Sequence, residues 1–171
     1  MSAVSETDRV TVLYQHADPD APQSPDIDDI VVEAAAVAGV LMATVNLIDT
    51  ERQCSVSTVG FEGARTPRRD AMCNVTLELG EFVHVPDARV DPRFADSPWV
   101  DGRLAEVRFY ASAPLITRDG FVLGTLCVFD VEPYELSERQ ITELKQLAVR
   151  VVETFERERL ARVEAPRVEV V

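Results

Sequence analysis

Histidine is nearly absent from this chain: only His16 and His84 occur in 171 residues. A zinc or iron site needs three or four converging ligands, and His84 with Cys73 supplies two, so no metal is expected. Glycine is scarce as well, with seven residues and none arranged as Gly-x-Gly-x-x-Gly, which removes phosphate-cradling loops. There is no Gly-x-Ser-x-Gly elbow, and neither histidine has an evident serine partner, so hydrolytic triad chemistry is excluded and no catalytic residue is expected. The three cysteines, Cys54, Cys73 and Cys127, lie far apart with no Cys-x-x-Cys pair and no signal peptide ahead of them. A disulfide framework is therefore not expected, and the cytoplasm is the default location. No run approaches the ~18 apolar residues needed to span a bilayer, and the sequence points to no particular cofactor.

What the chain does have is acid. Thirty acidic against 17 basic residues give a net charge of −13. Such a surface repels phosphate backbones and anionic headgroups, so nucleic acid and membrane are poor partners; the same charge also serves solubility. At 46% hydrophobic residues, a chain of this length makes one domain that buries roughly 70% of its unfolded surface.

Residues 1–23 combine a short apolar stretch from Val10 to Tyr14 with a turn-rich run containing Pro19 and Pro22, and read as an arm and linker. Residues 24–162 form the domain, and 163–171, with Pro166, read as a disordered tail. Ser24 caps a first helix, Pro25 suits its first position and Gly39 its end, with Ile27, Ile30, Val31, Ala34, Val37 and Ala38 at helical spacing. Strands at 40–48 and 53–59 flank a polar turn, and a Pro- and Arg-containing loop follows. A short helix around Met72, Val75, Thr76 and Leu79 closes at Gly80, and a short strand at 82–85 stops at Pro86. Segment 87–106 is a long loop, with one helical turn expected where Asp91 caps and Pro92 starts. A second hairpin pairs 107–116 with 121–130 about Asp119-Gly120. Ser137 and Gln140 then form a capping box for a last helix running to about 162. Its apolar stripe of Ile141, Leu144, Ala148, Val151 and Phe155 suits packing on the sheet as well as a dimer seam. Strands joined as hairpins, with helices before and after, describe an α+β domain with an antiparallel sheet.

Several strings across about residues 26–157 carry a family likeness. They are Val45-Asn46-Leu47-Ile48-Asp49 with Arg52-Gln53, Thr66-Pro67-Arg68, Met72-Cys73, Val85-Pro86-Asp87-Ala88-Arg89, and Asp91-Pro92-Arg93-Phe94-Ala95-Asp96 with Pro98. Later come Arg108-Phe109-Tyr110-Ala111, Ala113-Pro114-Leu115, Asp119-Gly120, Leu123-Gly124-Thr125-Leu126-Cys127-Val128 with Asp130, and Leu136-Ser137 with Gln140. In order and spacing the chain resembles the GAF domains, in particular the subgroup at the head of bacterial diguanylate cyclases and sensor kinases. The resemblance implies a GAF/PAS-like antiparallel sheet with helices on one face. On the other it implies a pocket roofed by the loop before the penultimate strand. The chain departs from the subgroup in having Cys54 and Ser55 where aromatic residues are common, and Val75 where a histidine is common. The output domain that usually follows is not expected here, and signalling is expected to pass through contact with another chain.

Within that frame the candidate pocket residues are Cys73, Asp87, Phe94, Trp99, Arg108, Tyr110 and Ser112. Cys73, at a helix start, is a reactive thiol or, by preference, a small buried apolar residue. Cys127 points with Leu123, Thr125 and Phe129 into the core, and Cys54 has no assignable face. Arg108, Tyr110 and Ser112 share one strand face, opposite Phe109 and Ala111. There a guanidinium and a phenol could fix an anionic or polar ligand. The alternative, slightly preferred, pairs Arg108 with Asp87 or Asp91 and pins the loop shut. Phe94 and Trp99 cover a ligand or, by preference, anchor the loop. The function expected is a stand-alone GAF-type sensory or regulatory module that binds a small molecule or a signalling protein as a homodimer. Two alternatives stand beside it. One is a cysteine-dependent enzyme resembling the reductases of free methionine sulfoxide; the other is a ligand-free dimerisation adaptor whose pocket falls well below the ~300 Å³ typical of ligand sites.

Overall fold

The computed structural model describes residues 5–21 and 24–164. One six-stranded antiparallel sheet organises them, in the order β3-β2-β1-β6-β5-β4. The strands are β1 (Met42–Ile48), β2 (Arg52–Val59), β3 (Arg65–Pro67), β4 (Val83–Val85), β5 (Phe109–Ile116) and β6 (Val122–Asp130). The two expected hairpins, β1–β2 and β5–β6, both form. They join through β1 and β6, in a register running from Met42 opposite Phe129 to Leu47 opposite Gly124. Gly124 is what permits this seam. A Cβ there would stand 1.9 Å from the Asn46 carbonyl oxygen, so any side chain would push the central strands apart.

Helices α1 (Glu6–His16), α2 (Pro25–Ala38) and α4 (Glu138–Glu164) cover one face. Pro25 opens α2 behind the Ser24 cap, and Gly39 closes it at φ 71°. The capping box of α4 is complete: Gln140 N–H donates to Ser137 Oγ at 3.2 Å, and Ser137 N–H donates to Gln140 Oε1 at 2.8 Å. Its stripe of Leu144, Ala148, Val151 and Phe155 is buried in the core with Ile27, Ile30, Val31 and Phe109. Of the two uses open to that stripe, packing within the chain takes it, because α2 and the sheet present the nearest apolar surface. No helix among the described residues is long and apolar enough to cross a membrane.

Three elements differ from the sequence reading. Where an arm was expected, α1 is a regular helix, capped by the Ser5 side chain and packed through Leu13 on the shared core. Its signal was hidden because two of its three buried residues are polar: Arg9, His16 and Leu13. Arg9 tolerates burial because it donates to both Glu6 carboxylate oxygens and to the Val122 carbonyl at 3.0 Å. The Pro- and Arg-containing loop includes β3, paired with β2. The helical turn expected at Pro92 is matched by turns closing on the Asp91 carbonyl, while the single 3-10 turn of this segment lies earlier, at Ala88–Val90. At the far end α4 includes Val163 and Glu164; the remainder of the expected tail lies outside the described residues.

Candidate functional site

The opposite face of the sheet is built differently. Alternation along β1, β5 and β6 turns Thr44 and Asn46, Tyr110 and Ser112, and Thr125 and Cys127 to the same side. The register aligns them: Cys127 stands between Thr44 and Ser112, and Thr125 opposes Asn46. Every one of these six residues is buried. Over them lie α3 (Cys73–Leu79) and the long segment 87–107, whose Phe94, Val100 and Val107 complete a second, smaller core. So the pocket face is not free of helices, because α3 sits on it.

Between the sheet and this cover is a cavity of about 50 Å³. Thr44, Asn46 and Gln53 supply its floor from β1 and β2, Tyr110, Cys127 and Phe129 from β5 and β6, and Met72 and Cys73 its wall at the start of α3. Half-buried Phe61 and Trp99 stand at its rim with Val107.

A hydrogen-bonded chain runs through the floor. Ser55 Oγ and Thr44 Oγ1 each donate to Asn46 Oδ1 at 3.1 Å. The Asn46 amide then donates to two sulfurs, Cys73 Sγ at 3.4 Å and Cys127 Sγ at 3.5 Å. Cys73 Sγ lies 2.8 Å from the Tyr110 hydroxyl and 3.8 Å from Cys127 Sγ. The surroundings polarise this group. Burial raises the Cys73 thiol, but hydrogen bonding from Cys127, with Thr125, Tyr110 and Asn46 around it, outweighs burial and brings it down to about 7. Cys127 moves the other way, raised by its bond to Cys73 and by burial. Tyr110 is also raised, by burial and by the two neighbouring sulfurs. The Tyr110 phenol and the Cys127 thiol are thus harder to ionise than Cys73.

The structure brings together some of the expected site residues and separates others. Cys73, Trp99 and Tyr110 line the cavity. Ser112 lies beneath it, fully buried, and its hydroxyl is unpaired among the described residues. Phe94 is also fully buried and packs on Tyr110 with ring centroids 5.5 Å apart, so it anchors the loop. Arg108 and Asp87 are elsewhere. The ion pair expected for Arg108 with Asp87 or Asp91 does not form, because each carboxylate is taken by the arginine two residues on. Asp87 holds Arg89 at 2.7 Å and Asp91 holds Arg93 at 2.8 Å. Arg108 instead donates to the Val100 carbonyl at 2.8 Å. It pins the end of the loop through backbone rather than charge. Cys54 sits on the helix-covered face, opposite Leu47, away from the other two thiols.

Asn46 and Cys127 were missed as site residues. Alternation from Tyr110 and Ser112 across paired strands was the signal that could have found Cys127, and the assignment of that strand face to the core hid it. His84 accepts the Leu136 N–H at 3.1 Å on the outer edge, where burial lowers its pKa.

Comparison with known proteins gives consistent results. Residues 4–154 match the model of the GAF domain. A cyclic di-GMP phosphodiesterase of Pseudomonas aeruginosa is 40% identical over 123 residues, which is 71% of this chain and 21% of that protein. The chain thus spans about a fifth of the curated relative it matches. Among solved structures, the GAF domain of an Acinetobacter phosphoenolpyruvate-protein phosphotransferase superposes with a TM-score of 0.66 at 16% identity, covering 95% of this chain and 99% of that one. Free methionine-R-sulfoxide reductase from Neisseria meningitidis gives 0.62 at 19% identity, covering 94% and 96%. At such identities the likeness concerns the fold.

Proposed function

Since the chain belongs to the GAF domain family, we propose that it is a sensory or regulatory module whose receptor site is the cavity between the polar sheet face and segment 87–107. The observation that carries this reading is the polarity of the floor. Gln53 Oε1, on that floor, is buried without a hydrogen-bond partner among the described residues, and such a group costs ~1–3 kcal/mol. A small polar ligand or a water reaching it recovers that cost, whereas a purely structural core would be more stable with an apolar residue there. At about 50 Å³ the cavity admits only a few atoms.

The same volume favours a second reading, a ligand-free adaptor that works by dimerising. In either case the dimer surface is the outward side of α4, with exposed Val149, Leu160 and Val163, joined by Val32 of α2. We read the module as non-catalytic, because no histidine or carboxylate stands among the described residues that line the cavity. Three unbonded thiols support a reducing compartment such as the cytoplasm. The net charge of −13 favours a protein partner over nucleic acid or membrane. Native mass spectrometry of the protein purified from its own host tests the receptor reading. The wild type should carry a small molecule that the Tyr110→Phe variant loses, whereas bare polypeptide mass in both would leave the adaptor. Sedimentation showing a concentration-independent monomer would remove the dimer from both readings.

A further inference from the structure

We propose that Cys73 and Cys127 are an oxidant-reactive pair that closes into a disulfide on meeting a small hydroperoxide, with Cys54 as a bystander. The two sulfurs face each other at 3.8 Å across the cavity wall, from the first turn of α3 and the middle of β6. A disulfide needs ~2.05 Å, so they must close by roughly 1.8 Å. Only one side has to move. Cys127 is held by ladders on both sides, to β1 and β5. Cys73 opens a two-turn helix whose preceding residue, Met72, makes no side-chain cap, and which ends at Gly80 in the left-handed conformation. A shift of that first turn leaves the sheet intact.

The cavity beside the pair, about 50 Å³, exceeds the ~10–15 Å³ that one water requires, so a molecule as small as hydrogen peroxide fits. The donors are placed for the chemistry. The Tyr110 hydroxyl, at 2.8 Å, and the Asn46 amide, at 3.4 Å, both lie within hydrogen-bond reach of Cys73 Sγ, and donors so placed stabilise a thiolate.

The Cys73 thiolate attacks one peroxide oxygen and the O–O bond breaks. Cys73 becomes a sulfenic acid, and the departing hydroxide takes the proton that Cys73 gave up, leaving as water. Cys127 then attacks the Cys73 sulfur. The S–S bond forms, the S–O bond breaks, and the hydroxide leaves as a second water with the Cys127 proton. Two thiols lose two electrons to one peroxide, which is reduced to two waters. Closing the bond draws Cys73 away from Tyr110, whose ring carries Phe94 and with it the 87–107 segment. The change in cavity shape that follows rests on the receptor reading above; the disulfide does not.

The test is a thiol titration and peptide map of the full chain before and after one equivalent of hydrogen peroxide. Free thiols should fall from three per chain to one, with Cys73 and Cys127 linked within one molecule and restored by a dithiol reductant. A Cys127→Ala variant should stop at a sulfenic acid on Cys73, trapped by a cyclic 1,3-dione. Three surviving thiols, loss of Cys54 first, or bonds between molecules would overturn the proposal. If Cys127→Ala does not fold, the wild-type map alone decides. Because the map is read without reference to any bound molecule, a protein purified without ligand can still form the disulfide, and one with ligand can fail to.

Discussion

The two faces of the sheet obey different rules. On the helix-covered face the strands contribute Ala43, Val45 and Leu47, Phe109, Ala111, Ala113 and Leu115, and Leu126 and Val128. On the other, the same three central strands contribute Thr44, Asn46, Tyr110, Ser112, Thr125 and Cys127, all equally buried. Burial is thus uniform while polarity is not. The apolar face derives its stability from area, at roughly 25 cal/mol per Å² removed from water. The polar face does so only where hydrogen bonds are completed, and Ser112 and Thr125 show that completion is partial. A fold that tolerates such a loss on one side has that side free for another task.

This contrast can be broken or sharpened by substitution. Phe109→Ala, at a fully buried site on the apolar face, should destabilise by about 4 kcal/mol with no change in the reactivity of Cys73, read by chemical denaturation beside thiol titration. Gly124→Ala, at the seam shared by both faces, should cost about 3 kcal/mol by forcing β6 from β1, and should also alter thiol reactivity because Asn46 moves. Tyr110→Phe, on the polar face, should cost only about 1 kcal/mol yet slow thiol oxidation several-fold, reversing the order of the two effects seen for Phe109. If Phe109→Ala and Tyr110→Phe perturb Cys73 alike, the faces are not independent.

pH separates the faces again. Cys73 faces Cys127 from β6, Tyr110 from β5 and the neutral Asn46 from β1, and its thiol is lowered to about 7. Its reaction with peroxide should therefore rise as pH climbs through that value and level off below the range of an ordinary thiol, whereas Cys54, raised by burial, should stay slow. Asp49 gives the smallest effect, in the turn outside both faces. Burial raises its carboxyl, but backbone N–H bonds from Glu51 and Arg52, the Arg52 guanidinium and the Tyr14 hydroxyl outweigh it and lower the pKa. Stability from this group is complete above the usual carboxylate range near 4 and is lost as pH falls through the lowered value. Asp49→Asn should cost about 1 kcal/mol at neutral pH, and the difference from wild type should shrink on acidification.

Which parts were legible in the sequence follows from the same division. Apolar periodicity exposes α2 and α4, and the Asp119-Gly120 turn exposes the β5–β6 pair, because there local pattern and tertiary packing agree. Arg9 and His16 concealed α1, since a buried polar residue looks like a solvent face until its partner is known. The site was half legible. Tyr110 and Ser112 follow from strand alternation, but nothing local states that Asn46 reaches Cys127, 81 positions later. Arg108 and Asp87 misled for the converse reason. Their charges suggested each other, yet Arg89 satisfies Asp87 from two positions away.

The sheet ends on both sides in strands of three residues, β3 and β4. Pro67 closes the first. The second is followed by Pro86, whose carbonyl accepts from Tyr134, while His84 takes the Leu136 amide. Among the described residues both margins are thus too short to offer a long ladder of amides for a neighbouring chain to extend. Concentrated preparations of this domain should consequently resist growth into fibrils.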